Sequence, residues 1–243
     1  MTRSPKTRRR DWRISVDCAP HDVTLIGDGH TIPSAHVDEV LPLITRAATL
    51  RGLPRTVLTL DCTQPVAVAA GFHNNLLRGH PVDVLAGLPG RDMARFVLRE
   101  PDPPSARALT PREAPAEVVP RGVELHVLVT LTRTANRGPY DTWRDENPTA
   151  NGPAPGLLWF DGAEDVNDGA QAAWLARVLH RSIVAHRPEG AALRLFLALP
   201  NVVCVALGQR LLNLGPVTLM ALKVRGTREA PDNTYEEWGT LKT

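Results

Sequence analysis

Aromatic residues make up only 5% of this 243-residue chain. Its core must therefore be built mainly from Leu, Val and Ala. Cysteine is nearly absent: Cys18, Cys62 and Cys204 are odd in number and far apart, and no CxxC pair occurs. That excludes a disulfide framework, argues against structural zinc, and fits reduced thiols in a cytoplasm. No stretch reaches about 18 uninterrupted apolar residues, the minimum for a membrane-spanning helix. The basic start is not followed by the apolar run of a secretory leader. A net charge of +2 gives no general electrostatic case for gripping a DNA or RNA duplex. Catalytic motifs are missing too, with no GxSxG elbow, HExxH pair or P-loop. His30, His73 and His80 lack the spacing of metal ligands, so no metal and no cofactor is expected.

Proline is plentiful, at 22 residues, and punctuates an alternation of strand-like and helix-like segments. Positive charge crowds the start, at Arg3, Lys6, Arg8, Arg9, Arg10 and Arg13. Residues 1–11 read as a solvated basic tail, with a nucleic-acid-binding arm as the alternative. Trp12–Asp17 alternates with the period of a strand, and Val23–Ile26 is a second short run ending at Gly27-Asp28-Gly29. Val37, Val40, Leu41, Ile44 and Ala48 follow at helical spacing until Gly52. Thr56–Leu60 is a strand, Pro65–Leu77 a helix and Val82–Leu85 a strand. Prolines 101, 103, 104, 111, 115 and 120 mark residues 101–122 as a connector between halves 12–100 and 123–243. The second half opens with a strand at Val123–Leu131 and a Gly-, Pro- and Asn-rich loop from Arg133 to Gly156. Strand Leu157–Phe160, helix Asp168–Ala185, strand Leu193–Leu197, helix Asn201–Leu212 and strand Val217–Leu222 complete it.

The halves repeat each other. Gly71 aligns with Gly208, 137 positions on, and the same offset brings Leu58 onto Leu195, Leu60 onto Leu197, Val66 onto Val203 and Val68 onto Val205. A two-residue gap then brings Pro81-Val82 onto Pro216-Val217. Strand, helix, strand, helix, strand, twice over, predicts an α/β chain with mainly parallel sheets. Two Rossmann-like halves should pack as a pseudo-dimer. In such sheets ligands bind outside the carboxyl ends of the strands, where helix N-termini offer free amides.

Four loops meet that condition, and the candidate ligand-binding residues lie in them. Gly27, Asp28 and Gly29 allow close backbone approach, although they do not form a GxGxxG fingerprint. Asp61 and Thr63 follow the second strand. Thr130, Thr132 and Thr134 offer hydroxyls around Arg133, whose planar fork suits a phosphate. Pro200-Asn201 opens a helix directly after a strand. Each also fits an ordinary role, as a turn, a loop arginine or a helix cap. A quasi-symmetric set of loops suits a quasi-symmetric ligand. Cys204, flanked by valines, reads as a structural thiol rather than a nucleophile.

The second half carries a resemblance. Leu193-Arg194-Leu195-Phe196-Leu197-Ala198-Leu199-Pro200, then Val205-Ala206-Leu207-Gly208-Gln209-Arg210-Leu211-Leu212-Asn213, Gly215-Pro216-Val217-Thr218-Leu219 and a later Tyr235 resemble the C-terminal pattern of SAVED domains. The match spans about residues 123–222, while the first half is supported by architecture alone. SAVED domains are similar to two fused CARF domains, so the resemblance implies two CARF-like halves. It also implies a cyclic oligonucleotide as ligand, in anti-phage systems of the CBASS or CRISPR type. No stretch is left over for an effector, so the expected partner is a separate effector protein or another copy of the chain. The expectation is a non-enzymatic sensor. A phosphodiesterase that degrades the cyclic signal and a nucleic-acid-binding adaptor are the alternatives.

Overall fold

The computed structural model describes residues 13–17, 22–26, 56–75, 82–87, 93–98, 109–132, 136–148, 153–162, 166, 168–187, 190–226 and 231–242. The basic tail, Gly27-Asp28-Gly29, the helix expected over 37–48, residues 101–108 of the connector, Arg133 and Thr134 lie outside them.

Two five-stranded sheets form the frame. The first holds β1 (Arg13–Asp17), β2 (Asp22–Ile26), β3 (Thr56–Asp61), β4 (Val82–Gly87) and β5 (Met93–Val97), side by side in chain order. Its three inner strands are parallel, and β1 and β5 flank them antiparallel. Helix α1 (Gln64–Asn75) follows β3. The second half runs β6 (Leu125–Thr130), α2 (Gly138–Glu146), β7 (Gly156–Asp161), α3 (Gly169–His186), β8 (Leu193–Ala198), α4 (Asn201–Gly208), β9 (Val217–Gly226) and β10 (Pro231–Leu241). Its sheet order is β7-β6-β8-β9-β10, parallel except for β10.

The repeat read from the sequence is present in three dimensions. β3 and β8 begin 137 residues apart, at Thr56 and Leu193, and so do α1 and α4, at Gln64 and Asn201. The series β2-β3-β4-β5 corresponds to β6-β8-β9-β10 in order and direction. The halves differ at one edge. There β1 precedes β2 and runs antiparallel to it, whereas β7 follows β6 and runs parallel. The chain is thus an α/β pseudo-dimer of two Rossmann-like units.

The units meet through α1 and α4. Both helices are rich in small residues, and Val66–Gly71 and Val202–Gly208 are buried. Gly71 lies against the backbone of Val205, and Gly208 against the backbone of Val68. The contact is reciprocal: Val68 and Val205 are repeat equivalents, as are Gly71 and Gly208. That is the signature of a two-fold interface, here within one chain. A Cβ at either glycine would overlap a carbonyl oxygen.

The second sheet is covered on both faces, as a parallel sheet requires, and all six β6 residues are buried. One face packs on α3, whose Ala172, Leu175, Ala176, Leu179 and Ile183 form the stripe expected from the sequence. Asp168 caps α3 by accepting from the Gln171 amide at 2.7 Å. The other face carries the in-register row Leu128–Phe196–Met220, covered by Tyr140 and Trp143 of α2 and by Tyr235 of β10.

Helix α2 lies inside the expected loop of residues 133–156. Gly138-Pro139 reads as a breaker, but a proline in the first turn starts a helix as readily as it ends one. β10 is a second unexpected element. Its sequence is mostly polar, and its strand character comes from pairing with β9. A bulge between Glu237 and Gly239 lets Tyr235 face α2 while Trp238 and Leu241 join the main core. Helix α4 is shorter than expected, ending at Gly208 instead of Leu212. Residues 109–122 form a strap over this half. Glu113 bridges to Trp159 on the β7 edge, and Val119 is buried, its amide donating to the His186 carbonyl.

Gly208→Ala and Gly71→Ala should each destabilise the fold by about 3 kcal/mol or more, because a rigid backbone carbonyl must move. Chemical denaturation would measure this. Gly138→Ala, where a Cβ meets only the Asn136 side-chain oxygen, should change little.

Candidate functional site

The candidate site grows from the seam. β6 and β8 end level with each other, Thr130 paired with Ala198 and the Leu131 amide donating to the Ala198 carbonyl at 3.1 Å. Thr132 therefore stands beside Leu199–Asn201. From the other half, β3 ends at Asp61 and leads through Cys62 and Thr63 into α1. The two sets touch: the Asn201 side-chain amide donates to the Cys62 carbonyl at 2.6 Å. Helices α1 and α4 thus begin side by side, and the Gly71–Val205 and Gly208–Val68 contacts lie further along both. They run the same general way, so their positive ends converge on one mouth at the carboxyl ends of β3 and β8.

Neither helix start is closed by its own side chain. Pro200 occupies the cap position of α4 and makes no side-chain cap hydrogen bond. Thr63 occupies the equivalent position before α1. Its hydroxyl is buried and has no hydrogen-bond partner, although Thr at this place ordinarily accepts from a first-turn amide. The carbonyls are used, Thr63 accepting from the Ala67 amide and Pro200 from the Val203 and Cys204 amides. Two converging, uncapped helix N-termini and a buried unpaired hydroxyl suit an anion with further polar groups, such as a phosphodiester.

Thr63, Thr132, Pro200 and Asn201 are brought to this mouth, and the backbone of Asp61 leads into it. Thr130 is not. Its hydroxyl lies within hydrogen-bond reach of the Phe160 carbonyl at 3.1 Å and Asp161 Oδ1 at 3.0 Å, and accepts from the Trp159 indole at 3.0 Å. The alternation of β6 puts Thr130 on the same face as His126 and Leu128, the face that α2 covers.

Gln64, absent from the residues singled out by the sequence, belongs to the mouth as the first residue of α1. The repeat contained the signal, since Gln64 falls 137 positions before Asn201. Cys204 lies one helical turn beyond Asn201, on the stripe facing the first half. Burial, then the neighbouring Cys62 thiol, pushes the Cys204 thiol well up. It is a packed group and not a nucleophile.

Behind the sheet, α2 is pinned by a polar chain. Burial works against the Glu124 carboxylate, yet its hydrogen bond with His126 and the Arg194 charge outweigh this and hold its pKa below the ordinary value. Glu124 accepts from His126 Nε2 at 2.9 Å and from Arg194 Nε at 3.0 Å. His126 Nδ1 is hydrogen-bonded to the Tyr140 hydroxyl, at 3.0 Å. Burial pushes Tyr140 up to about 12, so it remains a neutral donor. Nearer the carboxyl end, Arg112 and Arg137 stack over Trp159 at 4.6 and 5.3 Å. Arg112 also pairs with Asp161, and Arg137 with Glu113 and Asp141.

Asn201→Ala should lower the stability of the ligand-free protein by about 1–2 kcal/mol, since it removes a part-buried hydrogen bond across the seam. Thermal or urea unfolding reads this directly, and an unchanged stability would mean the hydrogen bond is idle.

No family model matches the chain, and no curated protein matches it in sequence. Solved structures do match it in three dimensions. The Acinetobacter baumannii Cap4 SAVED/CARF-domain containing receptor, solved with the cyclic trinucleotide 3'3'3'-cAAA, superimposes with a TM-score of 0.65 over 88% of this chain at 13% identity. The same receptor with 2'3'3'-cAAA gives 0.66 over 87% at 14% identity. The Moraxella osloensis Cap4 receptor gives 0.57 over 86% at 13% identity. The chain spans under half the length of these proteins, covering 45%, 44% and 43% of them respectively. Two Rossmann-like units meeting through a pair of central helices, with their loops gathered at one mouth, give this chain the fold of the SAVED/CARF-domain receptors.

Proposed function

We propose that the chain is a receptor for a cyclic oligonucleotide, acting as a sensor in a prokaryotic antiviral system. The observation that carries this reading is the convergence of two uncapped helix N-termini from repeat-related halves on one mouth. A cyclic oligonucleotide presents phosphates around a rim with bases between them. Paired positive helix ends suit the phosphates, and the Thr63 and Thr132 hydroxyls suit the remaining polar edges. Similarity of fold to receptors solved with cyclic trinucleotides supports the same reading.

In this reading Thr63, Thr132, Pro200 and the backbone after Asp61 line the mouth. In this reading the chain binds the ring and releases it unchanged. The output passes to a separate effector protein or to another copy of the chain. Among the described residues no helix is long and apolar enough to cross a membrane.

Thermal unfolding against cyclic di-, tri- and tetranucleotides, with linear controls of the same bases, tests the proposal. Ligand at a hundredfold excess over Kd stabilises the native state by about 2.7 kcal/mol. For a chain of this size that is a rise of roughly 5–10 °C in Tm. One cyclic species should give such a shift, its linear form a much smaller one, and the ring should be recovered intact after hours with the protein. Equal shifts with linear and cyclic forms, or none with any ring, would overturn the receptor reading. Loss of the ring would replace it with a phosphodiesterase.

A further inference from the structure

Two thiols meet at the seam. Cys62 follows β3 and leads into α1, Cys204 lies in the first turn of α4, and both are buried free thiols. Asn201 brings them together. Its side-chain amide donates to the Cys62 carbonyl at 2.6 Å and lies 3.9 Å from the Cys62 sulfur. Cys204 comes three residues after Asn201, one turn further along the same helix face. The thiols are close enough for charge on Cys62 to disfavour charge on Cys204. Packing alone does not call for sulfur here. The repeat equivalents of Cys62 and Cys204 are Leu199 and Ala67, both buried, so hydrocarbon fills the symmetry-related places.

The two thiols are not equivalent toward an oxidant. Cys62 stands where both helix N-termini concentrate positive charge and keeps 8% exposure, whereas Cys204 has none. A partly exposed thiol in electropositive surroundings is the one that reacts. Burial keeps the Cys204 thiol protonated and inert on its own. Only an oxidised sulfur pressed against it gives it something to close on. We propose that Cys62 and Cys204 are a redox couple, which hydrogen peroxide oxidises to a disulfide that locks the two halves across the seam. The Cys62 sulfur gives an electron pair to a peroxide oxygen, the O–O bond breaks, and a sulfenic acid forms as water leaves with the Cys62 thiol proton. The Cys204 sulfur then bonds to the Cys62 sulfur, and the displaced hydroxide leaves as water with the Cys204 proton. The two thiols lose two electrons and two protons, and one peroxide becomes two waters. The new bond closes a long loop spanning both halves, which restricts the unfolded chain. None of this depends on the receptor reading.

The test treats the full chain with hydrogen peroxide under native conditions, alkylates it after denaturation and maps it by peptide mass. Cys62 and Cys204 should be found joined, lighter by two hydrogens than the free pair, and dithiothreitol should part them. The oxidised chain should melt roughly 5–15 °C above the reduced one. Cys204→Ala, which copies the repeat-equivalent Ala67, should give no link and no rise, and should leave Cys62 as a sulfenic acid that dimedone traps. Cys62→Ala should leave Cys204 untouched by dimedone. Cys18→Ser should keep the link. The mapping and melting of wild type decide the matter should Cys204→Ala fail to fold. The proposal falls if both thiols can still be alkylated after native treatment, if they join only in denaturant, or if the linked chain melts no higher than the reduced one.

Discussion

Two glycines pressed against two carbonyls hold this molecule's halves together. Gly71 against Val205 and Gly208 against Val68 bring α1 and α4 to backbone contact, closer than any pair of helices bearing side chains at those points. Everything else follows from that approach. The helices can cross so tightly only if their facing stripes are small, and Ala67, its repeat equivalent Cys204 and the glycines provide this. Because contact is made twice, in reciprocal pairs, it resists both sliding and rotation. The seam is better suited to fixing a geometry than to hinging. A core poor in aromatics suits such a joint, since a large ring between the helices would hold their backbones apart.

Fixing the seam fixes the mouth. With α1 and α4 locked along their length, their first turns stay neighbours, and Asn201 closes the gap to Cys62. Two like-signed helix ends side by side repel, and in a protein with no anion present that arrangement costs free energy. Ordinary capping would relieve it. Here Pro200 has no side-chain oxygen to offer and the Thr63 hydroxyl makes no cap bond. The fold therefore holds an electrostatic tension that a phosphate would relieve. This is the pattern expected of a preorganised site, in which the protein carries the cost before the ligand arrives.

Much of this was legible in the chain itself. Parallel strands buried on both faces are continuous apolar runs, and Leu125–Leu131 and Leu193–Leu197 announce themselves as such. The repeat was visible because helices in backbone contact cannot vary: Val66, Val68 and Gly71 reappear as Val203, Val205 and Gly208. Elements that rely on partners were hidden. β10 has too many charges to read as a strand, and α2 opens with Gly-Pro inside a polar stretch. Both earn their structure from a few aromatics, Tyr140, Trp143, Tyr235 and Trp238, which in a chain so poor in rings were a signal to follow. In the site, sequence reasoning found the strand ends and named Pro200 and Asn201. It could not see that Thr130 lies on the α2 face with its hydroxyl bonded to β7, because one residue of register decides the face. Nor did it weigh Gln64, since a carboxamide at a helix start is unremarkable until its twin is found in use.

The mouth is two-fold in its backbone and asymmetric in its side chains. On one side stand Asp61, Cys62, Thr63 and Gln64, and on the other Ala198, Leu199, Pro200 and Asn201, position for position. The first set is polar, while the second is apolar apart from an amide already bonded to the first. On the proposed reading, backbone symmetry and side-chain asymmetry would do different work on a cyclic ligand. Phosphates are alike around a ring, and paired helix ends meet them wherever the ring is turned. Bases would be met by side chains, and on the first side the Thr63 hydroxyl is buried and unpaired among the described residues. That division of work would keep the seam free of specificity contacts, so the small residues that make backbone approach possible are never asked to recognise a ligand as well.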